Sequence, residues 1–280
     1  MRKVQAHGLE ALALATELLQ RVRLADPGAG IWEAADVQWW WRRPARSDEL
    51  EHTFWLDGDG PAAAVLATEF RGTWQVDPLL VPGAELLDDV WERTLRALEE
   101  AGPDPAGVPV REDDTELLER ARAAGLVPGE CSWESWMAAD ERPRVPLPPG
   151  FVIVDRTEAA KPHPMRGRNG EQVEERLRQC SLYDPWLDLA VETEDGESAG
   201  YSLYWFDPVT KVGLLEPMRV EEAFQRRGLA RAMIAAGTER LARRGAERLK
   251  VGYESDAARA VYTGAGYRTG AASTWYGRPR

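Results

Sequence analysis

Cysteine is nearly absent: Cys131 and Cys180 are the only two in 280 residues. Two thiols build no disulfide framework, and no metal-ligand spacing surrounds them. No metal is expected, and the setting is expected to be reduced. Long apolar runs are also missing, since none approaches the roughly 20 residues of a membrane span. The apolar stretch near the start, GLEALALATELLQRVR, contains Glu10 and Glu17. The apolar region of a secretory leader would not hold them, so this reads as an amphipathic helix over 8–24. An excess of positive charge is lacking too, with 35 basic against 47 acidic residues and a net charge of −12. A nucleic-acid-binding surface would be basic. An acidic chain favours solubility and cationic partners. The expectation is a cytoplasmic protein, monomer or homodimer, with no nucleic-acid and no membrane partner.

What is present is enough for two ordinary domains, with hydrophobic residues at 44% of the chain. After the first helix, Trp39, Trp40 and Trp41 run into Arg42 and Arg43. They form either a recognition patch or a helix end packed on the core with arginines over indoles. Residues 53–57 and 61–69 read as strands joined by a hairpin turn, and 73–83 as a third strand. Helices follow at 86–101 and 115–124, with a short strand at 108–110 between them and a last strand, SWESWM, at 132–137. DERPRVPLPPG (140–150) holds four prolines and reads as a stiff, extended linker. Beyond it come a strand at 151–155, a loop at 161–170, a helix at 171–180 and two strands joined at Asp195-Gly196.

The chain repeats itself. VREDDTELLERARAAGL (110–126) aligns without a gap on VGYESDAARAVYTGAGY (251–267), taking Gly125 to Gly266. Asp77-Pro78 corresponds to Glu216-Pro217. A repeat this long signals a duplicated domain rather than a solenoid.

The most informative stretch is VGLLEPMRVEEAFQRRGLAR (212–231). A mostly apolar strand runs into a turn holding Gln225, Arg226, Arg227 and Gly228, and then an amphipathic helix begins with Leu229 and Ala230. A helix start leaves about four backbone N–H groups unpaired and carries the positive end of the dipole. Gly228 and Ala230 let an anion approach the backbone, so the turn reads as a pyrophosphate seat. QRRGLA resembles the Q/R-x-x-G-x-G/A motif of the GNAT superfamily, the acyl-CoA-dependent N-acyltransferases. SDAARAVYTGAGY (255–267) resembles that family's N-x-x-A-x-x-x-Y-x-x-x-G-F segment, with Ser255 for Asn and Tyr267 for Phe.

The resemblance implies an α/β fold, a mixed α+β sheet in two tandem GNAT-like domains. The expected division is residues 1–140, a linker at 141–150, and residues 151–280. The N-terminal domain reads as degenerate. PGAELLDD (82–89) replaces QRRGLA, and its Glu85, Asp88 and Asp89 repel a pyrophosphate. Ala121 stands where the second half has Tyr262. The resemblance further implies acetyl-CoA as co-substrate and a small-molecule primary amine as acceptor. It implies cofactor contacts from Met218, Arg219, Val220, Gln225, Arg226, Arg227, Gly228, Leu229, Ala230, Ser255 and Ala258. Tyr262 would be the acid that protonates sulfur, and Glu216 a candidate base. His163, which also reads as a surface-loop residue, and Tyr183 are rivals for the base. The acceptor pocket would come from 161–186, with Tyr183, Asp184 and Trp186. A mycothiol-synthase-like tandem enzyme and a non-catalytic acyl-CoA-binding regulator are the alternatives.

Overall fold

The computed structural model describes residues 1–158 and 161–279. The elements in the first half are β1 (Arg2–Ala6), α1 (Gly8–Ala25), α2 (Ala34–Trp40), β2 (His52–Leu56), β3 (Pro61–Phe70), β4 (Thr73–Leu80), α3 (Leu87–Glu100), β5 (Ala106–Arg111), α4 (Thr115–Ala123) and β6 (Val127–Ala138). The second half has β7 (Phe151–Asp155), α5 (Arg166–Asn169), α6 (Val173–Gln179), β8 (Asp188–Thr193), β9 (Ser198–Phe206), β10 (Val212–Val220), α7 (Leu229–Arg244), β11 (Arg248–Tyr253), α8 (Asp256–Gly264) and β12 (Arg268–Gly277). The repeat seen in the sequence is a repeat of elements. The run β4-α3-β5-α4-β6 recurs as β10-α7-β11-α8-β12.

The chain divides into two compact units, residues 1–132 with 271–280, and residues 133–270. The sheet of the first runs β1-β2-β3-β4-β5-β12, antiparallel except for β4 beside β5. That of the second runs β6-β11-β10-β9-β8-β7, with β10 and β11 parallel. This differs from a division at the proline-rich segment. Residues 133–138 of β6 pair with β11, and β12 pairs with β5. Each repeat thus completes its sheet with the last strand of the other. The alternating pattern of the two strands is much the same, so sequence gives no rule for which sheet takes which. Residues 142–148 form neither helix nor strand, as their prolines require. Strands β1 and β12 are additions to the sequence reading.

The core of the first unit gathers Trp55, Val65, Val76, Trp91, Leu98, Val108 and Val110. Trp39 is buried, and the Arg42 guanidinium lies 4.0 Å from its ring centroid. The packed reading therefore holds for that indole. In the second unit Leu215, Ile234, Leu241, Leu249 and Val251 pack around the tyrosines described below. Helix α7 presses on β9 at one point of close approach. Tyr204 Oη donates to the Met233 carbonyl at 2.8 Å, and a Cβ on Gly237 would collide with the Tyr204 ring. Gly237→Ala is therefore expected to destabilise the second unit by about 1–3 kcal/mol, the usual cost of overpacking. A thermal melt of the full chain unchanged by this substitution would contradict the packing.

Candidate functional site

The second unit's site begins where a strand ladder stops. Val212–Leu215 pairs in parallel with Arg248–Val251, and no pairing between the two strands continues beyond Leu215 and Val251. On its other edge β10 pairs with β9, but the register shifts between Leu215 and Met218. This irregularity contains Glu216 and Pro217, joined by a cis bond. Proline cannot donate to a ladder, so it sits where pairing is interrupted. A gap opens between β10 and β11.

Backbone alternation decides which amides face that gap. The Glu221 N–H donates to the Ala199 carbonyl on the β9 side at 3.0 Å. Successive peptides alternate, so the amides of Val220 and Met218 point away from β9, toward the gap. Arg219, expected among the cofactor contacts, has its amide turned to β9 opposite Tyr201. Its side chain pairs with Glu221 at 3.3 Å. Arg219 is therefore removed from the gap by strand parity.

After a short 3-10 turn at Glu222–Phe224, the chain reaches the basic turn. Arg226 and Gly228 both take the left-handed conformation, at φ 61° and 83°. Gly228 is the N-cap of the 16-residue α7. Gln225 Nε2 donates to the Val220 carbonyl at 3.2 Å, tying the turn to the gap. Arg227 donates to the Ala223 carbonyl at 3.1 Å and lies over Phe224. Arg226 is exposed, and its side chain has no partner among the described residues. The unpaired amides at the start of α7 and two guanidinium-bearing residues thus converge on one turn, which fits a pyrophosphate. Leu229 is packed into the core, leaving only its backbone to the turn. Ala230 is half-buried in the first turn of α7.

Ser255 and Ala258 meet at the start of α8. The Ser255 hydroxyl accepts the Ala258 N–H at 3.3 Å and caps α8. Serine in place of asparagine serves here as the N-cap.

Helix α8 presents Tyr262 to a tyrosine cluster. Its ring centroid lies 6.0 Å from Tyr253 and 6.1 Å from Tyr267. The phenol is largely buried, and its hydroxyl has no hydrogen-bond partner among the described residues. Burial, and then the negative charge of Glu216, push its pKa well above that of a free tyrosine. Glu216 and Tyr262 are therefore within electrostatic reach of each other, and the phenol keeps its proton. Trp205 Nε1 donates to the Glu216 carbonyl at 2.8 Å and fixes the backbone of the irregularity.

The rivals for the base fare differently. His163 is not a surface residue but is buried, at 3% exposure. Its Nε2 meets Asp188 Oδ2 at 2.7 Å and its Nδ1 accepts the Met165 N–H at 3.2 Å. With both nitrogens engaged it has no lone pair to offer. Tyr183 Oη donates to the same Asp188 oxygen at 2.8 Å. Burial and that carboxylate push its pKa far up, which disqualifies it as a base. Asp184 and Trp186 are engaged by arginines of α7. Asp184 pairs with Arg244 at 2.6 Å, and Arg240 and Arg244 lie over the Trp186 ring.

In the first unit the parallel pairing of β4 with β5 is also short, Trp74↔Ala106 and Gln75↔Gly107, but the residues around it differ. Asp77 is 1% exposed, and Trp32 Nε1 and Gln75 Nε2 donate to it at 2.8 and 2.9 Å. Ala121 is fully buried. Helix α3 starts with Asp88 and Asp89 in its first turn.

Residues 157–267 match the family described as Acetyltransferase (GNAT) family. Within the second unit, residues 157–267 thus form a GNAT acetyltransferase domain. Its full length has the tandem GNAT fold. A tandem GNAT protein from the clavulanic acid biosynthesis pathway superposes with a TM-score of 0.70 at 15% identity, covering 99% of this chain and 97% of that one. A GCN5-related N-acetyltransferase from Sphaerobacter thermophilus gives 0.65 at 19%, covering 99% and 96%. A GNAT-family acetyltransferase from Colwellia psychrerythraea gives 0.64 at 12%, covering 100% of both. No curated protein sequence matches the chain. Identities this low establish a shared fold and no shared substrate.

Burial lifts the Asp77 carboxyl to about 7 from 3.8. A raised acid favours folding fully below its unfolded pKa, and that contribution is lost as pH rises through the folded one. The first unit should therefore lose stability between about pH 4 and pH 7. Asp77→Asn should flatten that slope in pH-dependent melts. An unaltered slope would contradict the assignment.

Proposed function

We propose that the second unit transfers an acetyl group from acetyl-CoA to a primary amine of a small molecule. The observation that carries this reading is the gap between β10 and β11. It lies beside the basic turn at 225–228, with Glu216 and Tyr262 electrostatically coupled at its edge. The Met218 and Val220 amides would hold the pantetheine arm, and Arg226, Arg227 and the start of α7 the pyrophosphate. Acetyl-CoA would supply an activated acyl group as a thioester.

The protein's own residues divide the proton chemistry. An alkylammonium has a pKa near 10.4, so at neutral pH it must lose a proton before its nitrogen can attack. Glu216, anchored through Trp205, takes that proton directly or through water. Tyr262 holds a proton at Oη with no internal acceptor. It can give that proton to a sulfur leaving group, whose ordinary thiol pKa is about 8.5. The two groups keep complementary roles because burial, and then the carboxylate charge, hold the phenol protonated. Burial around the tyrosine cluster strengthens that coupling.

The first unit offers no equivalent gap chemistry, so one acetyl-CoA per chain is expected. The exchanged strands make separated halves unsuitable for the test. Calorimetry on the full chain should give a single site, abolished by combining Arg226→Ser, Arg227→Ser and Gly228→Asp. Retained affinity in that variant would refute the seat. Tyr262→Phe should lower kcat about 100-fold with acetyl-CoA affinity intact, within the range of general acid catalysis. Unchanged turnover would remove the acid. Glu216→Gln should erase the acidic limb of the kcat/KM pH profile, and a persisting limb would remove the base.

A further inference from the structure

The end of α8 sets two tyrosines against each other. Gly266 follows the helix at a positive φ of 103°. The Tyr267 N–H then donates to the Tyr262 carbonyl, and the Gly266 N–H to the Thr263 carbonyl, each at 3.1 Å. This double closure holds the residue after the glycine against the last turn of the helix, commonly through an apolar contact. Helix α4 ends in the same way, with the Leu126 N–H donating to the Ala121 carbonyl at 3.0 Å. There the two residues are a buried alanine and a buried leucine. In the second unit both are tyrosines, so the same motif carries two hydroxyls into an apolar cluster. Their rings meet edge to face with centroids 6.1 Å apart.

Tyr267 is 3% exposed, and its Oη has no hydrogen-bond partner among the described residues. A buried hydroxyl without a partner costs stability, and a phenylalanine would avoid that cost. The cluster holds two further phenols, and both are engaged. Tyr204 Oη donates to the Met233 carbonyl, and Tyr253 Oη is bonded to Thr269 Oγ1 at 3.0 Å. Tyr267 is thus the phenol beside Tyr262 that still has a proton to share.

Resting on the acyl-transfer reading, we propose that Tyr267 donates a hydrogen bond to Tyr262 Oη as that oxygen becomes a phenolate. When the thioester C–S bond breaks, its electron pair stays on sulfur, which takes the Tyr262 proton. The O–H bond of Tyr262 breaks, its electron pair remains on Oη, and the negative charge passes from sulfur to the phenol. The proton that the acceptor nitrogen sheds as the amide forms then restores the phenol, directly or through Glu216. A buried anion without a donor is far more costly than a buried phenol. The Tyr267 bond is therefore stronger in the transition state than in the resting enzyme, which is the condition for lowering a barrier. Burial, and then the phenols of Tyr204 and Tyr262, hold the Tyr267 pKa well above that of a free tyrosine, so it keeps the proton it shares. Glu216 is the charged group that acts on Tyr262. Tyr267 works through Tyr262 and is a positioning residue.

The test needs no knowledge of the acceptor. In the full chain a trifluorinated tyrosine, whose phenol ionises more readily, replaces Tyr262, and its ionisation is followed by fluorine NMR. Tyr267→Phe should weaken that ionisation at least tenfold. The melting temperature should hold or rise, because an unpartnered hydroxyl is removed. Turnover is read by thiol release from acetyl-CoA with a panel of primary amines. Tyr267→Phe should lower kcat at least tenfold at an unchanged KM for acetyl-CoA, and should cost nothing further in a Tyr262→Phe background. Unchanged ionisation of the fluorinated phenol, or an equal loss of kcat in both backgrounds, would overturn the inference and leave the acyl-transfer reading standing. Weakened ionisation in a chain that acetylates no amine would support the hydrogen bond and sink the acyl-transfer reading.

Discussion

The structure of the second unit depends on an interruption in a ladder. Two parallel strands, β10 and β11, stay paired for four residues and then part, because the stretch from Leu215 to Met218 breaks register with β9 and holds a proline. A continuous sheet would bury every amide of β10. Here Met218 and Val220 keep theirs facing outward along one edge. The same interruption brings Glu216 to the boundary between the two faces of the sheet, where it influences Tyr262 from the far side. Binding geometry and proton chemistry thus share one cause.

The first unit carries the same plan with different residues at the matching places. Asp77 sits where the second unit has Glu216, but an indole and an amide donate to it and close it off from solvent. Pairing between β3 and β4 runs unbroken from Phe70↔Thr73 to Ala63↔Leu80, straight through Pro78. No register shift accompanies the proline there. The helix that follows starts with carboxylates rather than guanidinium groups.

Much of this was legible in the sequence for a physical reason. The turn at 225–228 sets particular residue types at particular spacing, so QRRGLA carries information that an ordinary turn would not. The repeat was legible because duplicated helices keep their apolar faces. Asp184, Trp186, Ser255 and Arg219 have partners within the chain, each through a local effect that composition does not encode. Arginines of α7 draw Asp184 and Trp186 to themselves. A helix start claims Ser255, and strand parity turns Arg219 away. His163 in a proline-flanked loop read as exposed, yet Asp188 draws it inside. The exchange of β6 and β12 was invisible because both strands satisfy the same pleat.

The central claim is that the edge of β10 past Leu215 is a vacant strand position that acyl-CoA completes in one unit alone. Backbone amide hydrogen exchange on the full chain, with and without CoA, tests it most directly. The account predicts slowed exchange at residues 216–220 and 225–231, with no change at 77–89. Equal protection of both segments, or none at 216–220 while CoA is bound, would contradict it.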